Sequence, residues 1–307
     1  MGPLPIAPMT ETPPVASSKA AVFVRRLGST LVLWALIAAA VWTGQPLLFF
    51  GIIVALGALG LVEWRRLFGA TLDGGWRVWL YSVSALYAAL VFWQSRGGHG
   101  GSPGLPEAVA LPLLFFGLFA GTLRAPLEGR ETLWRVLVAL AGFIYVVFLF
   151  SFAWRLVLVP RWTGSGPLPG IFYLLFVIAV TKFTDMGAYA VGVVFGRHKM
   201  IPHISPGKTW EGLAGAFLGA FAAAHGMVAV FGKHIPIIDH AHAAGLAVAL
   251  AAITVVADLA ESVIKRCLEA KDSGHFLPGI GGALDLIDSL LFTAPAAWLY
   301  FHFVVTS

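Results

Sequence analysis

Residues 257–289, ADLAESVIKRCLEAKDSGHFLPGIGGALDLIDS, hold six of the chain's fifteen acidic residues: Asp258, Glu261, Glu269, Asp272, Asp285 and Asp288. Lys265, Arg266 and Lys271 stand among them. On a helix, Asp258, Glu261, Ser262 and Lys265 fall at i, i+3, i+4 and i+7, so the four share one face. Asp285 and Asp288 repeat the i, i+3 spacing on a second helix. Between the two, the run from Gly274 to Gly282 carries four glycines and Pro278. Such a run ends any helix and lets the backbone turn back close to a ligand. The stretch therefore reads as the polar joint of a helical hairpin, with two acidic faces brought together where two apolar runs meet.

Those apolar runs set the fold class. Hydrophobic residues make up 59% of the chain, charged residues 11%, and the mean hydropathy is +0.86. A soluble domain carries about 25% charged residues. The composition implies an all-α, polytopic integral membrane protein of about nine transmembrane helices. Eight runs near the ~20 residues a bilayer requires cover about 46–63, 76–93, 108–123, 134–159, 170–196, 212–231, 242–262 and 288–305. A ninth follows Arg25 and Arg26 and extends to about Thr43. Ala38–Ala40 there resembles a signal-peptidase site, but the length of the run and the spans beyond it favour a retained first helix. Residues 1–18, rich in proline, serine and threonine, read as a disordered tail. Met1-Gly2 is followed by Ile6 where a myristoylation signal needs Ser or Thr. Residues 19–169 read as a scaffold of helices and 170–307 as the catalytic region.

The net charge of +5 does not form a continuous basic stripe, so nucleic acid is excluded as a partner. The cations instead report topology. With a cytoplasmic N-terminus, fifteen of the twenty Lys and Arg residues fall on the inner side. Arg96, Arg155, Arg161 and Lys233 fall on the outer side, and Lys182 lies within a span. This orientation puts residues 258–288 on the cytoplasmic side of the cell membrane. The lone cysteine, Cys267, excludes an intrachain disulfide and any multi-cysteine metal site.

A second informative stretch runs from Thr181 to Gly212, TKFTDMGAYAVGVVFGRHKMIPHISPGKTWEG. Asp185 lies in an apolar run, and an ionisable group at membrane depth points to function; pairing with Lys182, three residues earlier, is the plainer account. In the loop that follows, Gly207-Lys208-Thr209 lacks the upstream glycine and strand of a P-loop. Ser205 and Thr209 supply hydrogen-bond donors and Lys208 a compact cation. A helix opening after Pro206 would add free N–H groups, completing a cradle for phosphate. Gly215 and Gly219 form a GxxxG packing motif in the next span.

These two stretches resemble the phosphatidate cytidylyltransferases. The family pattern of Ser-x-x-Lys-Arg, Lys-Asp, a Gly/Pro turn, Gly-Gly and Asp-x-x-Asp is met by Ser262, Lys265, Arg266, Lys271, Asp272, Pro278, Gly281, Gly282, Asp285 and Asp288. Its Asp-x-x-Ala-Tyr and Ser-Pro-x-Lys-Thr-Trp-Glu-Gly elements are met by Asp185, Ala188 and Tyr189 and by the run from Ser205 through Glu211 to Gly212. Two positions depart: Ile280 replaces a histidine and Leu286 an arginine. The resemblance implies transfer of a cytidylyl group from CTP to phosphatidate, giving CDP-diacylglycerol and pyrophosphate, with Mg²⁺ as cofactor. It assigns Asp258, Asp285, Asp288 and Lys265 to catalysis. Asp185, Ser205, Lys208, Thr209, Glu211, Ser262, Arg266, Lys271, Asp272, Gly281 and Gly282 would bind substrate. For the metal, Asp258 and Asp285 are the expected direct ligands, with Asp288 and Glu261 as additional ones, because Mg²⁺ takes few protein carboxylates beside substrate phosphates. The expected partners are CTP, a phosphatidate lipid and the bilayer, with a second copy of the chain as a candidate. A CTP-dependent polyprenol or dolichol kinase is the nearer alternative; an ion-coupled transporter using Lys182, Asp185 and Asp258 is the farther one.

Overall fold

A chain in hydrocarbon must satisfy its backbone polar groups internally, and helices do so within each span. The computed structural model describes residues 35, 38, 39, 42–72, 74–96, 104–124, 126–159, 170–270, 273, 274 and 281–306. Among them, eight helices are long and apolar enough to cross a membrane. They are α1 (Pro46–Leu67), α2 (Gly75–Arg96), α3 (Leu105–Thr122), α4 (Arg130–Val157), α5 (Ile171–Phe195), α6 (Trp210–Phe231), α7 (His240–Cys267) and α8 (Ala283–Thr306). They match the eight expected spans from residue 46 onward one for one, so the protein is an all-α, polytopic membrane protein. The expected first span falls for the most part outside the described residues, as do the 1–18 tail, Lys271 and Asp272.

Local chemistry sets the helix ends. Pro46 occupies the first position of α1, where its missing N–H costs nothing. Asp239 caps α7 by accepting the His242 N–H at 2.8 Å, which holds its carboxyl below the ordinary carboxylate range. Helix α8 opens at Ala283, so it carries Asp285 and Asp288 as expected, although the apolar run itself begins only at 288. Hydropathy alone misplaces this end because Asp285 and Asp288 are polar, yet acidic groups suit the positive end of a helix.

The loop between α5 and α6 corrects another expectation. No helix opens after Pro206. Residues Lys199–Ile201 (β1) and Ser205–Thr209 (β2) instead form an antiparallel hairpin, with Lys199 paired to Thr209 and Ile201 to Ser205. In a two-stranded ribbon both strands are edges, so Pro206 is tolerated. Helix α6 starts only at Trp210, and extended Thr209 (φ −128°, ψ 156°) is its cap, accepting the Gly212 N–H at 3.1 Å.

Helices α5 and α6 make the most intimate pairing. A Cβ at Gly187 would lie 2.2 Å from the Gly215 carbonyl oxygen, and one at Gly219 would lie 2.2 Å from the Phe183 carbonyl oxygen. Only glycine permits this approach, so the GxxxG of Gly215 and Gly219 meets a third glycine across the interface. In the scaffold, α4 carries a π-helical stretch at Phe143–Phe148. Arg155, 2% exposed, forms an ion pair with Glu107, which also accepts the Tyr87 hydroxyl at 2.8 Å. That pairing is what a buried arginine requires. The scaffold joins the C-terminal half where α1 meets α8: a Cβ on Gly60 would lie 3.3 Å from Ile287 Cδ1.

Candidate active site

Six elements line a cavity of about 510 Å³, and four of them bring its charged and hydroxyl groups. Lys182 and Asp185 come from α5, Ser205, Lys208 and Thr209 from β2, Asp258 from α7, and Asp285 and Asp288 from α8. The hairpin delivers Lys208 across the gap to α7, where its Nζ lies 2.8 Å from Asp258 Oδ2 and donates to the Val255 carbonyl at 3.2 Å. Lys182 Nζ donates to the Leu286 carbonyl at 3.2 Å, so the lysine beside Asp185 reaches across to α8.

The helical spacing on α7 works as read for three of its four residues. One carboxylate oxygen each from Asp258, Glu261 and Asp288 lie within 4.8 Å of one another. Glu261 is 3% exposed and Asp288 7%. Asp288 Oδ1 accepts from the Ser289 backbone N–H at 2.5 Å and its hydroxyl at 2.9 Å. Glu261 Oε1 is buried and has no hydrogen-bond partner among the described residues. A buried, unpartnered carboxylate oxygen beside two further carboxylates is unfavourable unless a cation or a proton is shared among them. The donor set is all oxygen and anionic, which suits Mg²⁺.

Asp285 lies beside this group, on the same cavity. Its Oδ1 lies 3.1 Å from Lys265 Nζ, and its Oδ2 accepts the Gly282 N–H at 3.0 Å. The Ser273 N–H points at both oxygens from 3.4 Å. Lys265 also reaches Glu261 Oε2 at 3.0 Å, so one ammonium ties Asp285 to the three-carboxylate group. The structure thus gathers Asp258, Glu261 and Asp288, three of the four expected metal ligands, and holds the fourth, Asp285, beside them through Lys265. The two acids of α8 differ by about 60° around the helix axis, and both face α7, Asp288 toward Asp258 and Glu261 and Asp285 toward Lys265.

Other expected residues sit in the cavity wall or beyond it. Thr209 is buried and spends its hydroxyl oxygen on the α6 cap. Glu211 binds the hairpin base, accepting from the Arg197 N–H at 3.1 Å and facing His198 Nδ1 at 2.5 Å. Arg266 Nε donates to the Ile204 carbonyl at 3.5 Å, linking α7 to the hairpin turn. Ser262, Gly281 and Gly282 do not line the cavity.

One residue escaped the sequence reading. Glu63, on α1, is fully buried, and its Oε2 accepts the Leu284 N–H at 2.8 Å. It lay at the edge of an expected span beside Arg65 and Arg66, where an acid passes for an ordinary helix end. The available signal was its place directly after the apolar run that ends at Leu61 and Val62.

Apolar helices that collect carboxylates and lysines in one cavity define a polytopic membrane protein with a charged site among its helices. The chain belongs to the cytidylyltransferase family, whose pattern matches residues 24–304. It is 39% identical over 142 residues to the phosphatidate cytidylyltransferase of Haemophilus influenzae, covering 45% of this chain and 48% of that protein. Over 132 residues it is 41% identical to the phosphatidate cytidylyltransferase of Bacillus subtilis, covering 43% and 47%. It also shares 38% identity over 165 residues with an uncharacterized protein, YnbB, of Escherichia coli, covering 53% and 51%. The chain thus spans about half the length of the curated relatives it matches.

Proposed function

We propose that the protein is a phosphatidate cytidylyltransferase, using CTP and phosphatidate to make CDP-diacylglycerol and pyrophosphate. The observation that carries this reading is Lys208 of the hairpin meeting Asp258 beside Glu261 and Asp288, with family membership behind it. In the reaction an oxygen of the lipid phosphate forms a bond to the α-phosphorus of CTP. The bond from that phosphorus to the bridging oxygen of the β-phosphate breaks, and the electron pair leaves with pyrophosphate. No enzyme nucleophile is required. Both substrates are anions, so the chain has to hold two repelling phosphates in line and screen their charge.

Asp258, Glu261 and Asp288 would hold Mg²⁺, and the ion would supply charge neutralisation and alignment of the phosphate oxygens. Lys208 supplies a cation from a hairpin that borders the cavity. Lys265 keeps Asp285 and Glu261 fixed, and Asp285 anchors the turn into α8. Tyr189 and Val193, exposed on α5 beside the cavity, suit contact with the lipid. The reading places the cavity at the cytoplasmic face, where CTP is present; the bias of Lys and Arg supports that orientation. A second copy of the chain remains a candidate partner.

The decisive experiment incubates detergent-purified protein with phosphatidate, Mg²⁺ and CTP labelled in the cytosine or at the γ-phosphate. Cytosine label is expected in lipid and γ-label in pyrophosphate. Appearance of CDP with γ-label in a lipid would sink the proposal in favour of a lipid kinase. Lys208→Ala is expected to lower kcat/KM for CTP by about 10²-fold, as loss of one charged donor to a transferring phosphate does. Lys208→Arg should recover part of it, since charge is kept but the compact ammonium is not. Steady-state kinetics with both variants checks this.

A further inference from the structure

We infer that Glu63 is a positioning residue for the carboxylate site, acting from the scaffold helix α1 on the start of α8; the inference rests on the metal-dependent reading above. Helix α8 begins without a side-chain cap of the Ser or Thr kind, and its first N–H groups need acceptors. Asp285 takes the Gly282 N–H at 3.0 Å, and Glu63 takes the next-but-one, that of Leu284, at 2.8 Å. A carboxylate 221 residues distant in sequence thus completes the cap of the helix that carries Asp285 and Asp288.

The surroundings are shaped to this carboxylate. A Cβ on Gly274 would lie 2.3 Å from Glu63 Oε1, and one on Gly282 would lie 2.6 Å from Oε2 and 2.2 Å from Ser273 Oγ. Ser273 Oγ also lies within 3.4 Å of Oε2. Both ends of the turn between α7 and α8 are therefore pressed onto one buried side chain. Helix α1 is itself seated against α8 through Gly60, so the carboxylate cannot drift. Without Glu63 the Leu284 N–H loses its acceptor in a buried place, and the first turn of α8 is free to unwind or rotate. Rotation there moves Asp285 at once and Asp288 one turn later, away from Asp258 and Glu261.

The test uses the full chain in detergent and the metal alone. Mn²⁺ affinity is measured by electron paramagnetic resonance for wild type, Glu63→Ala, Glu63→Gln and Gly274→Ala, alongside thermal unfolding and kcat and KM for CTP. Glu63→Ala is expected to weaken Mn²⁺ binding about 10- to 100-fold, the usual scale for residues that orient metal ligands. Its kcat should fall by a similar factor with KM for CTP little changed. Glu63→Gln keeps a carbonyl oxygen for the Leu284 N–H and should hold Mn²⁺ within about threefold of wild type. Gly274→Ala displaces the carboxylate without deleting it, and should weaken Mn²⁺ as the alanine variant does. It carries the test if Glu63→Ala does not fold. Wild-type Mn²⁺ affinity in both Glu63→Ala and Gly274→Ala overturns the inference. A wild type that binds Mn²⁺ but transfers no cytidylyl group overturns the functional reading alone, while the affinity comparison still decides the role of Glu63.

Discussion

Asp288→Asn protein is expected to lose about 10³-fold in turnover while staying folded, and in the absence of divalent metal to be at least as stable as wild type. The two halves of this result have one cause. Asp258, Glu261 and Asp288 bring carboxylate oxygens within 4.8 Å of one another, two of the three groups buried. Like charges at that separation oppose folding unless a cation or protons intervene. Replacing Asp288 by its amide removes one negative charge and leaves the shape nearly unchanged, so the metal-free bundle loses a repulsion. It also removes one hard anionic oxygen, and metal stabilisation of a phosphoryl transition state amounts to several kcal/mol, or roughly 10³ in rate. Glu261→Gln should resemble it in turnover, with less gain in stability because its contact to Lys265 at 3.0 Å weakens. If these acids instead served only to pair with lysines, neutralising Asp288 would lower stability and spare turnover. Thermal melts in chelator and kinetics at limiting Mg²⁺ separate the two, and turnover within threefold of wild type would refute the metal assignment.

The sequence makes the spans and most of the site visible for one reason: both are encoded by local periodicity. Apolar runs of ~20 residues can only be membrane helices, and Asp258, Glu261 and Lys265 share a helix face whatever packs against it. What it conceals depends on contacts between distant segments. The hairpin at 199–209 was hidden because Pro206 and Gly207 speak for a turn, while the pairing of Lys199 with Thr209 becomes evident only once both strands are placed. The placing of Asp285 against Lys265 and the Gly282 N–H goes with the backbone at Gly281, where φ is +117°. That is a conformation glycine alone adopts freely, and nothing in an i, i+3 spacing reveals it. Glu63 shows the limit most plainly. Its partner is Leu284, and no pattern within either segment connects them.

Gly215→Val is expected to be the most damaging substitution in the bundle that touches no functional group. A Cβ at Gly215 would stand 2.4 Å from the Gly187 carbonyl oxygen and 2.5 Å from Val191 Cβ, so the obstacles are helix backbone and a branched side chain that cannot swing aside. The two helices must separate, and each ångström of separation forfeits dispersion contacts along the whole interface. Association of helices in lipid has little else to draw on, because the surrounding tails are as apolar as the side chains. Overpacking of this kind costs about 3 kcal/mol or more, which for a chain of this size lowers the melting temperature by roughly 10 °C. Gly226→Ala is the matched control on the same helix: nothing lies within 4 Å of its added Cβ, and alanine there should be neutral or stabilising by up to ~1 kcal/mol. The site feels the difference as well. Helix α5 carries Lys182 and Asp185, and α6 holds the hairpin that delivers Lys208 to Asp258 at 2.8 Å. Pushing α5 and α6 apart therefore lowers kcat/KM for CTP beyond what the loss of folded protein explains. Melting temperatures of the two variants in one detergent decide the matter, and a Gly215→Val protein that melts with Gly226→Ala would show that α5 and α6 do not meet as closely as Gly187, Gly215 and Gly219 require.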